Sequence, residues 1–103
     1  MATVIYKGDS TNVYNIKVNG ETDYSLYSCQ GIIVKSIGDT PIVNKTFTLD
    51  ETDGFDVFFL AEETDLLEIG TYLEIYELTK TESGEIVYRR ELQRIIQVKK
   101  DGI

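Results

Sequence analysis

Val57-Phe58-Phe59-Leu60-Ala61-Glu62-Glu63-Thr64-Asp65-Leu66-Leu67-Glu68-Ile69-Gly70-Thr71-Tyr72 is the stretch whose reading decides the fold. It completes an apolar run, Phe55 to Leu60, of strand length and rich in residues that suit a pleated surface. Ala61 to Leu67 is the one segment with helical character; it spans about two turns and reads as a crossover between sheets. A new strand then runs from Thr71 to Leu78. A tyrosine just inside a strand that follows such a crossover can return its hydroxyl to the backbone behind it, an arrangement called a tyrosine corner. On that reading Tyr72 is a stability residue, Leu67 plugs the core beneath the crossover, and Gly70 supplies a permissive bend.

The flanking sequence repeats the same short period-2 runs, punctuated by turns. Thr3 to Lys7 ends at Gly8-Asp9-Ser10. Tyr14, Ile16 and Val18 then share one side of a strand that Asn19-Gly20 closes, a strong hairpin signal. Cys29 to Ile37 carries Ile32-Ile33-Val34, as a strand buried on both faces would. Gly38-Asp39-Thr40-Pro41 turns the chain into Ile42 to Leu49, and Asp50 to Gly54 is a polar loop. Phe55 to Leu60, the most apolar strand, is expected at the centre of a sheet. After the Glu82-Ser83-Gly84 turn, Glu85 to Lys99 places Arg90 and Arg94 in an apolar stripe with Ile86, Tyr88, Leu92, Ile96 and Val98. That interruption predicts a bulge or a strand leaving the sandwich at one end. The expectation is all-β: an immunoglobulin-like β-sandwich of about seven antiparallel strands with one short crossover helix, a single domain over 1–103.

Composition agrees. Apolar residues make up 42% of the 103, enough for one core, and alanine occurs only twice, which argues against a helical bundle. A net charge of −8 disfavours nucleic acid as a partner. Cys29 is the single cysteine, so no disulfide can form within the chain, as suits assembly in a reducing cell. No apolar run reaches transmembrane length and the N-terminus has no signal-like apolar region, so neither export nor a membrane is expected.

Tyr6-Lys7-Gly8-Asp9-Ser10 opens the first strand pair, and Val57-Phe58-Phe59-Leu60 followed by Glu63-Thr64-Asp65-Leu66-Leu67-Glu68-Ile69-Gly70-Thr71-Tyr72 comes later. In that order and spacing the set resembles the Ig-like domains of tailed-phage virion proteins, such as the N-terminal domain of baseplate upper proteins and related capsid or tail accessory domains. The resemblance covers most of the chain; it departs at Tyr88-Arg89-Arg90-Glu91-Leu92, where such domains often carry a glycine. It implies a bacteriophage virion structural protein assembled in the host cytoplasm. The first expectation is an auxiliary or decoration protein docked on the major capsid protein; the next is a tail or baseplate component.

The residues offer little for catalysis. Histidine is absent, which removes the commonest general base and leaves Cys29 without an imidazole; core packing is its expected role. Glu62-Glu63 reads as a surface pair, and Asp50, Glu51 and Asp53 miss the alternate spacing of a calcium loop. No enzyme, cofactor or metal is expected. Charge is more telling: Asp50 to Glu77 holds ten acidic residues and no basic one, whereas Ile86 to Ile103 holds five basic and two acidic. Either the two stretches pair across strands, or Arg89, Arg90 and Arg94 engage a carboxylate-rich partner, another virion protein or a neighbouring copy. Tyr24 and Tyr27, in a polar loop, are further contact candidates. With Phe55 they would form the aromatic platform of an alternative function, binding a carbohydrate or host surface.

Overall fold

The computed structural model describes residues 3–18, 24–47 and 54–98. Among these residues seven strands and one short helix follow in order: β1 Thr3–Tyr6, β2 Tyr14–Ile16, β3 Tyr27–Val34, β4 Val43–Phe47, β5 Phe55–Val57, α1 Ala61–Thr64, β6 Gly70–Lys80 and β7 Ile86–Gln97. A five-stranded sheet of order β1-β7-β6-β3-β4 faces a two-stranded sheet, β2-β5. Each inner face is a period-2 set, as in Tyr72, Glu74, Tyr76 and Leu78 of β6, all buried. The chain passes from the small sheet to the large one through α1. This is an immunoglobulin-like β-sandwich: β2 and β5 stand at its B and E positions, β3, β6 and β7 at C, F and G.

The expected all-antiparallel pattern fails at one edge. β1 pairs with β7 in parallel, from Thr3 opposite Arg94 to Tyr6 opposite Gln97. A parallel pair needs a long connection, and here nearly the whole domain lies between the two strands. Asn19-Gly20 and the Asp50 to Asp53 loop lie outside the described residues. The hairpin reading nonetheless does not describe the pairing of β2, which joins β5 in the other sheet, with Tyr14 opposite Val57 and Ile16 opposite Phe55. Nor is β5 central. Phe55 and Val57 are apolar because they face the large sheet across the core; the middle strand of that sheet is β6, flanked by β7 and β3.

Two local elements also differ from expectation. The helix is four residues long, not two turns. Leu66 N–H donates to the Glu63 carbonyl and Leu67 N–H to the Thr64 carbonyl, and this tightening to a three-residue spacing drops Leu67 into the core. In β7 the bulge falls at Val87, between the pairs Leu78–Tyr88 and Thr79–Ile86, not at the arginines. Arg90 and Arg94 remain on the inner side, and their charges are met there by other means.

Rings dominate the core. Phe59 and Tyr76 stack with centroids 5.8 Å apart, and Phe47 lies edge-on to Phe59 at 6.4 Å. Gly31, opposite Tyr76 on the ladder, makes this possible: a Cβ there would stand 2.7 Å from Phe47 and 2.9 Å from Tyr76. Cys29 is buried beside them, and burial pushes its thiol up to about 12.

Candidate functional site

The crossover and the strand after it form the first polar constellation. Tyr72 is buried and its hydroxyl donates to the Glu68 carbonyl, four residues upstream, at 2.8 Å. Leu67 lies buried nearby, and Gly70 opens β6. Thr64, fully buried, ties the crossover to the loop after β1: its hydroxyl donates to the Asp9 carbonyl at 2.7 Å and accepts from Gly8 N–H at 3.2 Å. Lys45 of β4 reaches Glu63 at 2.8 Å and lies 5.0 Å from the Phe47 ring centre, fastening the sheet edge to α1.

The second constellation lies two residues further along β6. Alternation turns Glu74 inward, and none of its side chain is exposed. Arg94 of β7 donates from Nε to Glu74 Oε1 at 2.7 Å and from Nη2 to the Tyr14 hydroxyl at 3.1 Å, and the Tyr76 hydroxyl donates to Glu74 Oε2. Tyr14 belongs to β2, so a chain of four side chains links the two sheets. In antibody-type domains the residue two positions after the corner tyrosine is a cysteine, bridged to strand B through the core. Here that residue is Glu74, and an arginine completes the link to β2. Burial opposes the guanidinium's charge, but the hydrogen bonds to Tyr14 and Glu74 and the carboxylate's charge raise Arg94 above its ordinary value. Tyr76 is raised too, by burial first and then by the neighbouring Glu74 charge. Such a pair demands that every donor and acceptor be met.

These contacts redistribute the residues expected to meet a partner. Arg94 is 4% exposed and committed to Glu74, so it is a core residue and not a docking arginine. Arg90 is half-buried, with its guanidinium 4.4 Å from the centre of the Tyr14 ring. Arg89 is exposed on the outer face and bridges Glu77 at 3.2 Å and Glu91 at 2.8 Å. The acidic and basic stretches therefore meet each other across β6 and β7. Tyr24 is not a loop contact: it is 1% exposed, and its hydroxyl accepts from Val18 N–H at 2.7 Å. Tyr27 is half-buried, 5.6 Å from Tyr24, and Phe55 is fully buried. The aromatic platform of the carbohydrate reading thus lies mostly inside the molecule.

No known family profile and no curated protein matches this chain. Solved structures resemble its fold, among them the following two. The N-terminal domain of ORF48 of phage TP901-1 has a TM-score of 0.53 at 15% identity, over 94% of this chain and 85% of that one. The NK cell receptor NKp44, a triggering partner in natural cytotoxicity, has a TM-score of 0.54 at 16% identity, over 94% of this chain and 99% of that one. At such identities the likeness is one of fold.

Glu74, Tyr14, Tyr76 and Lys45 were missed in the sequence reading. The signal for Glu74 was present: it shares the period-2 register of Tyr72, Tyr76 and Leu78, so an acid on that face required a cation opposite. Arg94 in its apolar stripe was that cation. For Tyr14 no local signal existed, because its partner is 80 residues away.

Proposed function

We propose that this chain is a structural docking module of a tailed-phage virion, placed at the tail or baseplate in preference to the capsid shell, and that it acts by adhesion without turnover. The observation that carries the reading is the ordered motif set from Tyr6 to Tyr72, joined to a sandwich that resembles an N-terminal domain of a phage protein over 94% of this chain. The fold alone does not choose, since a cell-surface receptor resembles it equally well. The sandwich suits rigid adhesion because its sheets are cross-linked by side chains rather than by a disulfide, and such a link survives in a reducing cytoplasm. Cys29 gives no support to nucleophilic chemistry, because burial raises its thiol to about 12 and so keeps it protonated at neutral pH.

Quantitative mass spectrometry of purified particles tests this. A small symmetric number of copies, about six or a low multiple, supports the tail or baseplate, and hundreds of copies move the module to the capsid as a decoration protein. Absence from the particle refutes the reading.

A further inference from the structure

β3 and β6 carry apolar side chains on both faces. The inner set of β6 is Tyr72, Glu74, Tyr76 and Leu78, so Leu73 and Ile75 point away from the small sheet. Ladder partners share a face, and the register sets Val34 opposite Leu73 and Ile32 opposite Ile75. An antiparallel sheet with one solvated side reads apolar inward and polar outward. Here Val34 and Ile75 stand on the outer side, yet they are only 1% and 3% exposed. The β2-β5 sheet lies on the other side, and so does α1, whose Glu63 is held by Lys45 opposite the inner-facing Gly31. The Ile32-Ile33-Val34 run suits a layer on each face, and the described residues supply one.

The outer apolar surface is a stripe across four strands. It runs from Val4 of β1 to Ile95 of β7, directly opposite, then diagonally to Leu73 of β6 and across to Val34 of β3. Ile75 and Ile32 widen it on one side. The charged residues that the register places on this face among the described strands are Arg89, Glu77 and Glu91, and Arg89 bridges both glutamates beyond one end of the stripe. Depletion of charge around an apolar centre is the mark of an interface core.

Charge and area select the occupant. A basic partner would gain most on the acidic surface elsewhere. A second copy, with the same net charge of −8, is repelled everywhere except on a face that is nearly free of charge. Five strands at about 4.8 Å and about eight residues at 3.4 Å give a face of roughly 24 by 27 Å. Two such faces bury about 1,300 Å² in total, just inside the range of stable interfaces. Twisted sheets stack face to face about 10 Å apart, and a stripe brought onto its own copy by a two-fold axis is self-complementary.

We propose that the outer face of the five-stranded sheet is a self-association surface, on which a second copy of this chain packs sheet to sheet about the stripe from Val4 to Val34. The second copy supplies the layer that β3 and β6 lack. The inference does not depend on the virion reading. An interface of this modest area, between two acidic chains, has a dissociation constant of about 10 μM.

Sedimentation equilibrium of the full 103-residue chain from about 1 μM to 1 mM tests this, with the mass expected to rise from the monomer's to twice that value. Val4→Glu with Leu73→Glu should weaken the dimer by at least about tenfold. Leu66→Glu with Val13→Glu, equal in charge change but on exposed positions of the crossover and beside β2, should leave it intact. Comparing ¹⁵N spectra of the unaltered chain at the two extremes of concentration needs no variant, and should move the amide resonances of Val4, Leu73, Val34 and Ile95 most. A chain that stays monomeric at about 1 mM overturns the proposal. So do shifts confined to other residues, a dimer that survives in the folded Val4→Glu, Leu73→Glu variant, or one that the Leu66→Glu, Val13→Glu pair disrupts equally.

Discussion

Replacing Glu74 by leucine probes the link between the sheets most directly. In the folded chain Glu74 is wholly buried and Arg94 side-chain exposure is 5%, with 2.7 Å between Nε and Oε1. Removing one member of a buried pair leaves an uncompensated charge, which costs about 3–5 kcal/mol. Tyr76 loses its acceptor as well, and an orphaned buried hydroxyl costs about 1–3 kcal/mol. The two losses share one carboxylate and do not add in full, so about 4 kcal/mol is expected. A domain of this size holds only about 5–15 kcal/mol, so Glu74→Leu brings the chain close to unfolding. With a urea slope of about 2 kcal/mol per molar, the denaturation midpoint should fall by about 2 M. A triple variant, Glu74→Leu with Arg94→Met and Tyr76→Phe, removes both charges and the stranded hydroxyl. It should recover to within about 1 kcal/mol of the parent, because well-packed apolar groups often replace a buried pair at little loss. The reasoning fails if Glu74→Leu loses less than about 1 kcal/mol, or if the triple variant is no more stable than the single one.

Four further outcomes are expected. Tyr72→Phe deletes the bond to the Glu68 carbonyl and should lower stability by about 1 kcal/mol, read as a fall of about 4–8 °C in Tm. Gly31→Ala forces a Cβ to within 3 Å of the Phe47 and Tyr76 rings and should cost about 1–3 kcal/mol in a urea melt, because both rings are packed on other core aromatics. Arg89→Ala, by contrast, should change stability by less than about 0.5 kcal/mol in the same melt, since its pairs with Glu77 and Glu91 are exposed. At alkaline pH the unfolded Cys29 thiol loses its proton near 9.0, whereas the folded one keeps it until about 12. Tyr76 likewise ionises above its ordinary 10.0 when folded. The native state then binds more protons than the unfolded one, so stability is complete below these ordinary values and falls above them, by up to about 1.4 kcal/mol per pH unit for each group. Urea melts stepped upward from neutral pH measure the decline, and Cys29→Ala should lessen its first part.

The strands were legible because each writes its own period-2 pattern within a few residues. Tyr72 was legible for the same reason, since its acceptor lies four residues away on the same chain segment. Tyr24 was misread because a tyrosine flanked by Asp23 and Ser25 looks like a wet loop residue, while its burial depends on Val18 and Phe55. Arg94 was misassigned for a related reason: an arginine in an apolar stripe has two physical solutions, exit to solvent or a buried acid, and local sequence does not rank them.

The amino-acid sequence alone determined the all-β class, the number of strands, the crossover and its corner tyrosine, for these follow from alternation, turn residues and short-range bonds. Only the tertiary structure decided the parallel join of β1 to β7, the partnering of β2 with β5, and the fate of the arginines. Those outcomes rest on residues as far apart as Tyr14 and Arg94, whose meeting is set by how two sheets stack and not by anything either residue carries locally.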